Sequence, residues 1–226
     1  MGENALAHTP LFHGIRADEI EQLLPCLGAR WRDFSKGELI LRAGDVTDEL
    51  GIIVRGSANI VVNSYWGDSV IFGHIGPGEV FAESYAAIPG EELGVDVVAA
   101  EECQVCFLDM GKLLTTCERS CPFHHRLIHN MIQLSARKNL GLSRRMTHIA
   151  PKSIRKRLLS YLSQQALEQG SSHVTIPFSR QQLADYLGVD RSALSNELSK
   201  MRRDGLIDFR KSEFELHPRG SQPAVV

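Results

Sequence analysis

The chain has 226 residues, of which 43% are apolar and 23% charged, and its formal net charge at pH 7 is −2. This length allows one large or two modest domains with a real hydrophobic core, and the composition is that of an ordinary globular protein. The sequence contains no run of about 18 apolar residues, so no membrane span is predicted.

Two features of the sequence predict a cytoplasmic protein. The first residues, MGENALAHTPLF, lack the basic and apolar regions of a secretory signal. The five cysteines are an odd number, and without a signal we expect them to be reduced thiols.

The charge is distributed unevenly. Residues 137–226 contain 16 Lys and Arg against 8 Asp and Glu, whereas residues 1–136 contain 9 against 19. Such a split indicates two domains with different partners, and the basic part is the candidate for binding a polyanion.

The N-terminal part is predicted to contain one helix and then strands. ADEIEQLLPCL has apolar residues every three or four positions, which indicates a short amphipathic helix. Six short apolar runs follow: ELILRA, LGIIVRG, ANIVVNS, SVIFGHI, VDVVAA and CQVCFL. Turn glycines separate them at residues 44, 56, 67 and 78. This spacing predicts an antiparallel barrel or sandwich.

A long helix is predicted next, from Pro122 to about Met146. Its apolar positions cover more than one face, so it needs two surfaces to bury against, and we predict that the second is the same helix of another copy. The alternative is a helix wedged within one monomer. The residues assigned to this dimerisation helix are Leu127, Ile128, Met131, Ile132, Leu134, Ser135 and Leu142.

The C-terminal part has the pattern of a winged helix-turn-helix. Pro151 marks a hinge, a helical stripe restarts at Ile154, and HVTIPF is predicted to be a short strand. Ser179 and Gln182 form a capping box, and Gly188 permits a turn before a second helix that Asp190 caps. The inner faces of the two helices are Leu183, Ala184 and Leu187, and Leu194, Leu198 and Met201. GLIDF and FEL then flank the polar turn RKSE as a β-wing.

The second of these helices carries the residues expected to meet DNA. A recognition helix needs polar side chains at its N-terminal end and cations around it. The predicted base-reading residues are Arg191, Ser192, Ser195 and Asn196. The predicted residues around them are Ser179, Arg180, Gln181, Lys200, Arg202, Arg210 and Lys211. A helix pair with a role other than DNA binding, in a pure interaction module, is the alternative.

These stretches together resemble the bacterial CRP/FNR family of transcription regulators. The matching stretches are TPLFHGI, FSKGELILRAGD, IVRGSANIVV, IGPGEVFAES, RQQLADYLGVDRSALSNELSKM and DGLIDF. The resemblance implies an α+β protein with an N-terminal antiparallel β-roll of jelly-roll type, a long dimerisation helix and a C-terminal winged helix-turn-helix. The expected domains are residues 1–121, 122–148 and 149–226. The resemblance further implies a homodimer on two-fold symmetric promoter DNA, with an effector bound in the β-roll. It also implies RNA polymerase as a further partner and no enzymatic activity.

The effector is expected to be something other than cyclic AMP. Cyclic-AMP-binding members carry Gly-Glu and later Arg-Ser, and here Gly78-Glu79 is present but Leu93-Gly94 stands where Arg-Ser holds the phosphate. Without that guanidinium a charge-assisted bond to the phosphate is lost. Phe81 and Asn139 complete the predicted effector pocket. An iron–sulfur cluster is disfavoured because no cysteine precedes Cys26.

Cysteines and histidines offer further alternatives. Cys103 and Cys106 lie three apart in a strand and point to opposite faces, so a chelate is not expected. Weak metal candidates are Cys117, Cys121, His124 and His125, although half-buried cysteines and surface histidines are the simpler interpretation. Haem ligands in a gas-sensing regulator would be His8, His74, His129 or His148, and a thiol-based redox sensor is a related alternative. A cupin-like metalloenzyme is a remote alternative, because the barrel region has only His74.

Overall fold

The computed structural model describes residues 5–63, 66, 69–115 and 122–217. The chain divides into two compact units, Met1–Arg137 and Lys138–Val226. The domain bounds expected from the sequence stay a prediction.

The first unit is an antiparallel β-roll preceded by helix α1 (Ala17–Cys26). Its strands are β1 (Arg30–Phe34), β2 (Leu39–Leu41), β3 (Glu49–Arg55), β4 (Ala58–Asn63), β5 (Ser69–Ile75), β6 (Val80–Phe81), β7 (Asp96–Ala99) and β8 (Cys103–Asp109). Two short helices, α2 (Glu83–Ala86) and α3 (Met110–Leu114), follow β6 and β8. One sheet has the order β1-β8-β3-β6 and the other β2-β7-β4-β5, with antiparallel pairing throughout.

The interior of the β-roll is apolar and closed by aromatic rings. Phe107 meets Phe34 and Phe81 edge to face, with ring centroids 6.4 and 6.3 Å apart. The six strands predicted from apolar runs are all present, and β1 and β6 were missed. In β1 four of five residues are exposed, and β6 has two residues, so neither shows the alternation that reveals a strand.

Helix α4 spans Pro122–Ile149, ending slightly later than the predicted Met146. Leu127, Met131 and Leu134 are buried in a cluster with α1 and the N-terminal segment. These three residues therefore belong to the core of the first unit, which corrects their assignment to a dimer contact. Asn130 reinforces that packing, because its amide donates to the carbonyls of Leu11 and His13 at 2.9 and 2.8 Å.

The second unit is a small helical domain with a three-stranded sheet. Its elements after α4 are α5 (Ile154–Gln169), β9 (His173–Thr175), α6 (Arg180–Leu187), α7 (Arg191–Arg203), β10 (Ile207–Arg210) and β11 (Glu213–Leu216). The sheet order is β10-β11-β9. The six residues predicted as the inner faces of α6 and α7 are all buried in one cluster with α5 and the sheet. The predicted wing is the β10–β11 hairpin.

The mixed α+β class predicted from the sequence is confirmed. Among the helices of the described residues, none is long and apolar enough to cross a membrane.

Candidate nucleic-acid interface and effector region

Local capping fixes where α6 and α7 begin. The Ser179 hydroxyl oxygen accepts from the backbone NH of Gln182 at 3.3 Å, and the Gln182 side chain accepts from the NH of Ser179 at 2.8 Å. Gly188, with φ of +62°, ends α6 in the left-handed region that favours glycine. Asp190 accepts from the NH of Ala193 at 2.9 Å and so starts α7 two residues after the turn.

The N-terminal half of α7 presents polar side chains to solvent. Arg191, Ser192 and Asn196 are exposed and Ser195 is half-buried. Ser195 donates to the carbonyl of Arg191 at 2.9 Å, and Ser192 donates to the Asp190 carboxylate. The same Ser192 bond, followed by the Ala193 NH, lowers the pKa of Asp190 below its ordinary value. Within the described part of the chain, Asn196 makes no side-chain hydrogen bond, so its amide is available to a base edge.

The predicted phosphate contacts fall into two groups. Arg191, Arg210 and Lys211 have no ion-pair partner among the residues that the structure describes. Lys200 has only a distant one, with its Nζ 3.9 Å from a carboxylate oxygen of Glu197. These cations are available to a polyanion.

Arg180 and Arg202 form the second group, because both guanidinium groups are held at the ring of Phe209. Their distances to its centroid are 5.0 and 4.1 Å. Arg202 also pairs with Asp208 at 2.5 Å, and Arg180 donates to the carbonyl of Lys211 at 3.1 Å. Partial burial lowers the pKa of Arg180 from its ordinary value. Through these contacts Arg202 ties α7 to the wing, and its assignment as a phosphate contact stays a prediction.

Other residues of this surface were missed from the sequence. Ser199 and Arg203 are exposed and continue the outward face of α7 at three and seven residues after Asn196. Helical periodicity would have found them. No local sequence pattern indicates that the Phe209 ring contacts Arg180 and Arg202, because this contact forms only when the wing folds back to α6 and α7. Gln181 is exposed and donates to Asp185 at 2.8 Å.

The predicted effector residues are divided between the two units, with Asn139 in the second and the others in the first. Phe81 lies in the β-roll interior and Leu93 is buried. Glu79 is exposed and accepts from the NH of Gly76 at 2.7 Å, so it closes its own turn at Gly78. Asn139 is exposed on α4 in the second unit.

A different carboxylate is buried in the same segment. Glu83 is buried at the start of α2, directly after Ala82, whose φ is +60°. Positive φ is uncommon for a residue other than glycine and marks a constrained backbone. The buried acid of the predicted effector segment is therefore Glu83 and not Glu79.

The position of the missing phosphate clamp is crowded. A Cβ on Gly94 would lie 3.2 Å from the Tyr85 hydroxyl oxygen, and Leu93 beside it is buried. Adding a serine at residue 94 would therefore require Tyr85 to move. The segment offers the apolar side chain of Leu93 where a phosphate would need a guanidinium.

The cysteines of β8 face different cores. Cys103 is buried in the β-roll interior and Cys106 in the cluster with α1 and α4, as expected for residues three apart in a strand. Burial raises the pKa of the Cys103 thiol, and that of the Cys106 thiol to about 12, so Cys106 stays protonated and unreactive.

The other candidate ligands are dispersed. His124 is buried, with Nε2 2.8 Å from the Leu113 carbonyl oxygen, so its interpretation as a surface histidine is wrong, whereas His125 is exposed. Cys117 and Cys121 lie outside the described residues. Among the residues that are described, no group of three or more His, Cys, Asp or Glu could hold a metal ion.

The four histidines considered as haem ligands differ in their exposure. His8, His74 and His129 are exposed. His148 is buried, and both of its ring nitrogens are engaged, at 2.9 Å from the Tyr186 hydroxyl and 2.9 Å from Oε1 of Gln164.

Comparison with known families assigns both units. Residues 31–120 match the cyclic nucleotide-binding domain, and residues 156–219 match the Crp-like helix-turn-helix domain. The chain belongs to the CRP/FNR family of transcription regulators. As a member it is a DNA-binding regulator and not an enzyme, so the cupin-like alternative is set aside.

Two similar proteins align with most of this regulator. It is 24% identical to the cyclic AMP receptor protein of Thermus thermophilus over 199 residues, 88% of each chain. It is 25% identical to the CRP-like protein Clp of Xanthomonas campestris over 184 residues, which is 79% of this chain and 80% of Clp.

Solved structures share the fold. A structure of the c-di-GMP-responsive global regulator CLP has a TM-score of 0.57 at 21% identity, covering 89% of this chain and 99% of CLP. A structure of CprK complexed with OCPA has a TM-score of 0.64 at 17% identity, covering 87% of this chain and 89% of CprK. The family and fold predicted from the sequence are thus confirmed, and the site residues that are not corrected above stay predictions.

Proposed function

We propose that this regulator binds promoter DNA as a homodimer, reads each half-site with α7, and responds to an effector other than cyclic AMP. The observation that carries the proposal is the outward face of α7, where Asn196 and Arg191 are exposed and unpaired among the described residues, beside the unpaired wing cations Arg210 and Lys211. Base-edge groups flanked by phosphate-seeking cations are what major-groove recognition requires. The working compartment is the cytoplasm, and RNA polymerase is the expected further partner on the promoter.

The exposed face of α4 supports the homodimer. Along the helix, exposed or half-buried residues recur at alternating intervals of three and four, the heptad spacing of a coiled coil. These seam positions are His125, Ile128, Ile132, Ser135, Asn139, Leu142, Met146 and Ile149. Ile132, Leu142 and Met146 are 63%, 58% and 66% exposed, which leaves apolar surface for a second copy to cover. A single Asn at an inner position, here Asn139, is a feature that specifies register and oligomeric state in coiled coils.

The first prediction concerns the base read by Asn196. Asparagine pairs with adenine through N6 and N7, whereas arginine pairs with guanine through O6 and N7. Asn196→Arg is expected to shift one half-site position from A·T toward G·C by about 1–3 kcal/mol. Selection from a random oligonucleotide pool with wild type and variant measures this shift.

Arg210→Ala is the control for that selection. It removes a cation of the wing, so it should weaken all sequences alike and lower the salt slope by about 1 without changing the selected bases. Identical base preferences for wild type and Asn196→Arg would remove Asn196 from the base-reading surface.

The second prediction concerns the effector. Cyclic AMP is expected not to bind, because Leu93 and Gly94 provide no cation or hydroxyl for its phosphate and Tyr85 crowds the position. Calorimetric titration measures binding, with DNA binding by the same preparation as the control for folded protein. A dissociation constant of tens of micromolar or tighter, about 6–7 kcal/mol of binding free energy, would contradict the prediction.

A further inference from the structure

The carboxyl end of α6 is bound by two arginines from outside the helix-turn-helix. The last four carbonyls of a helix have no partner within it. Here the four carbonyl groups in question are those of Asp185, Tyr186, Leu187 and Gly188, of which the first also accepts from the backbone NH of Gly188 at 3.3 Å. The first two accept from Arg145, at 3.0 Å each, and the last two accept from Nη1 of Arg157, at 2.9 and 3.2 Å. Cations at this end also interact favourably with the helix dipole.

Each arginine connects α6 to a different segment. Arg145 lies on the last turns of α4, and its guanidinium carbon is 5.6 Å from the Tyr186 ring centroid. One turn later His148 bonds the Tyr186 hydroxyl. Arg157 lies on α5 and also donates from Nε to the carbonyl of Pro151 at 2.8 Å, in the segment between α4 and α5.

The same turns of α4 carry the dimer seam. Asn139, Leu142 and Met146 are seam positions, and Arg145 lies between the last two in sequence. The helix that would pair with the second copy is therefore fastened, within the second unit, to the first helix of the helix-turn-helix. A planar guanidinium can bond two successive carbonyls at once, which restricts rotation in a way that a single ammonium donor does not.

We infer that Arg145 and Arg157 are positioning residues that set the orientation of α6 and α7 relative to the dimer seam, and thereby the half-site spacing that the dimer accepts. The inference rests on the proposed homodimer, since only a dimer has a spacing. In such dimers half-site spacing follows from the geometry that holds the two recognition helices apart. Neither arginine is expected to contact a base, so the base preference within a half-site should not depend on them.

The experiment is selection from DNA libraries in which two identical half-sites are separated by spacers differing by one base pair. Wild type is expected to favour one spacing over its neighbours by at least about tenfold, because each base pair added rotates and displaces the second half-site. Arg145→Ala and Arg157→Ala are each expected to reduce that preference to about threefold or less, with the half-site bases and the salt slope unchanged.

Arg144→Ala is the matched control. It removes the same charge from the adjacent position of α4, where Arg144 pairs with Glu168 at 3.5 Å and, among the described residues, makes no hydrogen bond or ion pair with α6. It should keep the wild-type spacing. If Arg145→Ala does not fold, Arg145→Lys tests the same point, since it keeps the charge without the two-pronged donor and should also widen the accepted spacing.

The outcomes separate this inference from the proposed function. Selection of one isolated half-site by wild type would overturn the homodimer. A wild-type protein with one preferred spacing, and arginine variants with the same preference, would overturn the inference alone. Equal loss of affinity at every spacing, accompanied by a lower Tm, would show that the arginines only stabilise the fold and would also overturn it.

Discussion

Leu142→Glu is expected to make the protein monomeric and to lower its affinity for a two-half-site DNA by at least about a hundredfold. Leu142 is 58% exposed and occupies a seam position on α4. In a dimer two glutamates would face each other there in an apolar contact, where neither charge is compensated. A monomer keeps the contacts of one half-site and loses the gain from binding two half-sites through one molecule. Sedimentation at micromolar concentration and gel shift measure the two effects.

Leu140→Glu is the control for the dimer prediction. Leu140 is 57% exposed on the same helix but lies outside the three-and-four repeat. It should leave both sedimentation and DNA affinity near wild type. If the two variants show the same sedimentation and DNA affinity, or if the Leu142→Glu protein is still a dimer, the proposed dimer seam on α4 is wrong. Met131 is unsuitable for this test because it is 5% exposed and packs in the core of the first unit, so a charge there would destabilise the fold.

Gly56→Ala is expected to reduce the unfolding free energy of the β-roll by at least about 3 kcal/mol, from left-handed backbone strain together with overpacking. Gly56 has a φ of +74° in the turn between β3 and β4. A Cβ at this position would lie 2.2 Å from the backbone carbonyl oxygen of Glu102 and 2.7 Å from the Cβ of Cys103. The clash can be relieved only if the turn moves away from the start of β8, because the nearest atom is the backbone carbonyl oxygen of Glu102 and not a flexible side chain.

Gly37→Ala separates the two contributions. Gly37 has a φ of +81°, yet a Cβ on it would meet no heavy atom within 4 Å. It should cost only the left-handed strain, about 1–2 kcal/mol. Denaturant unfolding followed by tryptophan fluorescence reports on the β-roll, because both tryptophans, Trp31 and Trp66, lie in the first unit. Equal losses for the two variants would show that the contact at Gly56 is relieved without cost.

The sequence by itself determined the order of the elements and the inner faces of the DNA-binding helices. Leu183, Leu187, Leu194 and Leu198 repeat at helical intervals, and periodicity is a local property that the chain carries before it folds. Ser179 at the start of α6 acts within one turn of its own position, so its role was readable too. The amino-acid order was also sufficient to place Cys103 and Cys106 on opposite faces of a strand.

Only the tertiary structure decided which partner each polar or apolar group found. Leu127 and Ile132 look alike in the sequence, but packing against α1 buries the first and leaves the second exposed. In the sequence Arg202 is simply one cation among several, whereas in the structure the wing places Phe209 and Asp208 beside its guanidinium. Arg145 had no signal at all, because its acceptors are backbone carbonyls about forty residues away and every residue carries a carbonyl. Long-range contacts of this kind depend on how elements meet, which a local pattern of residue types does not encode.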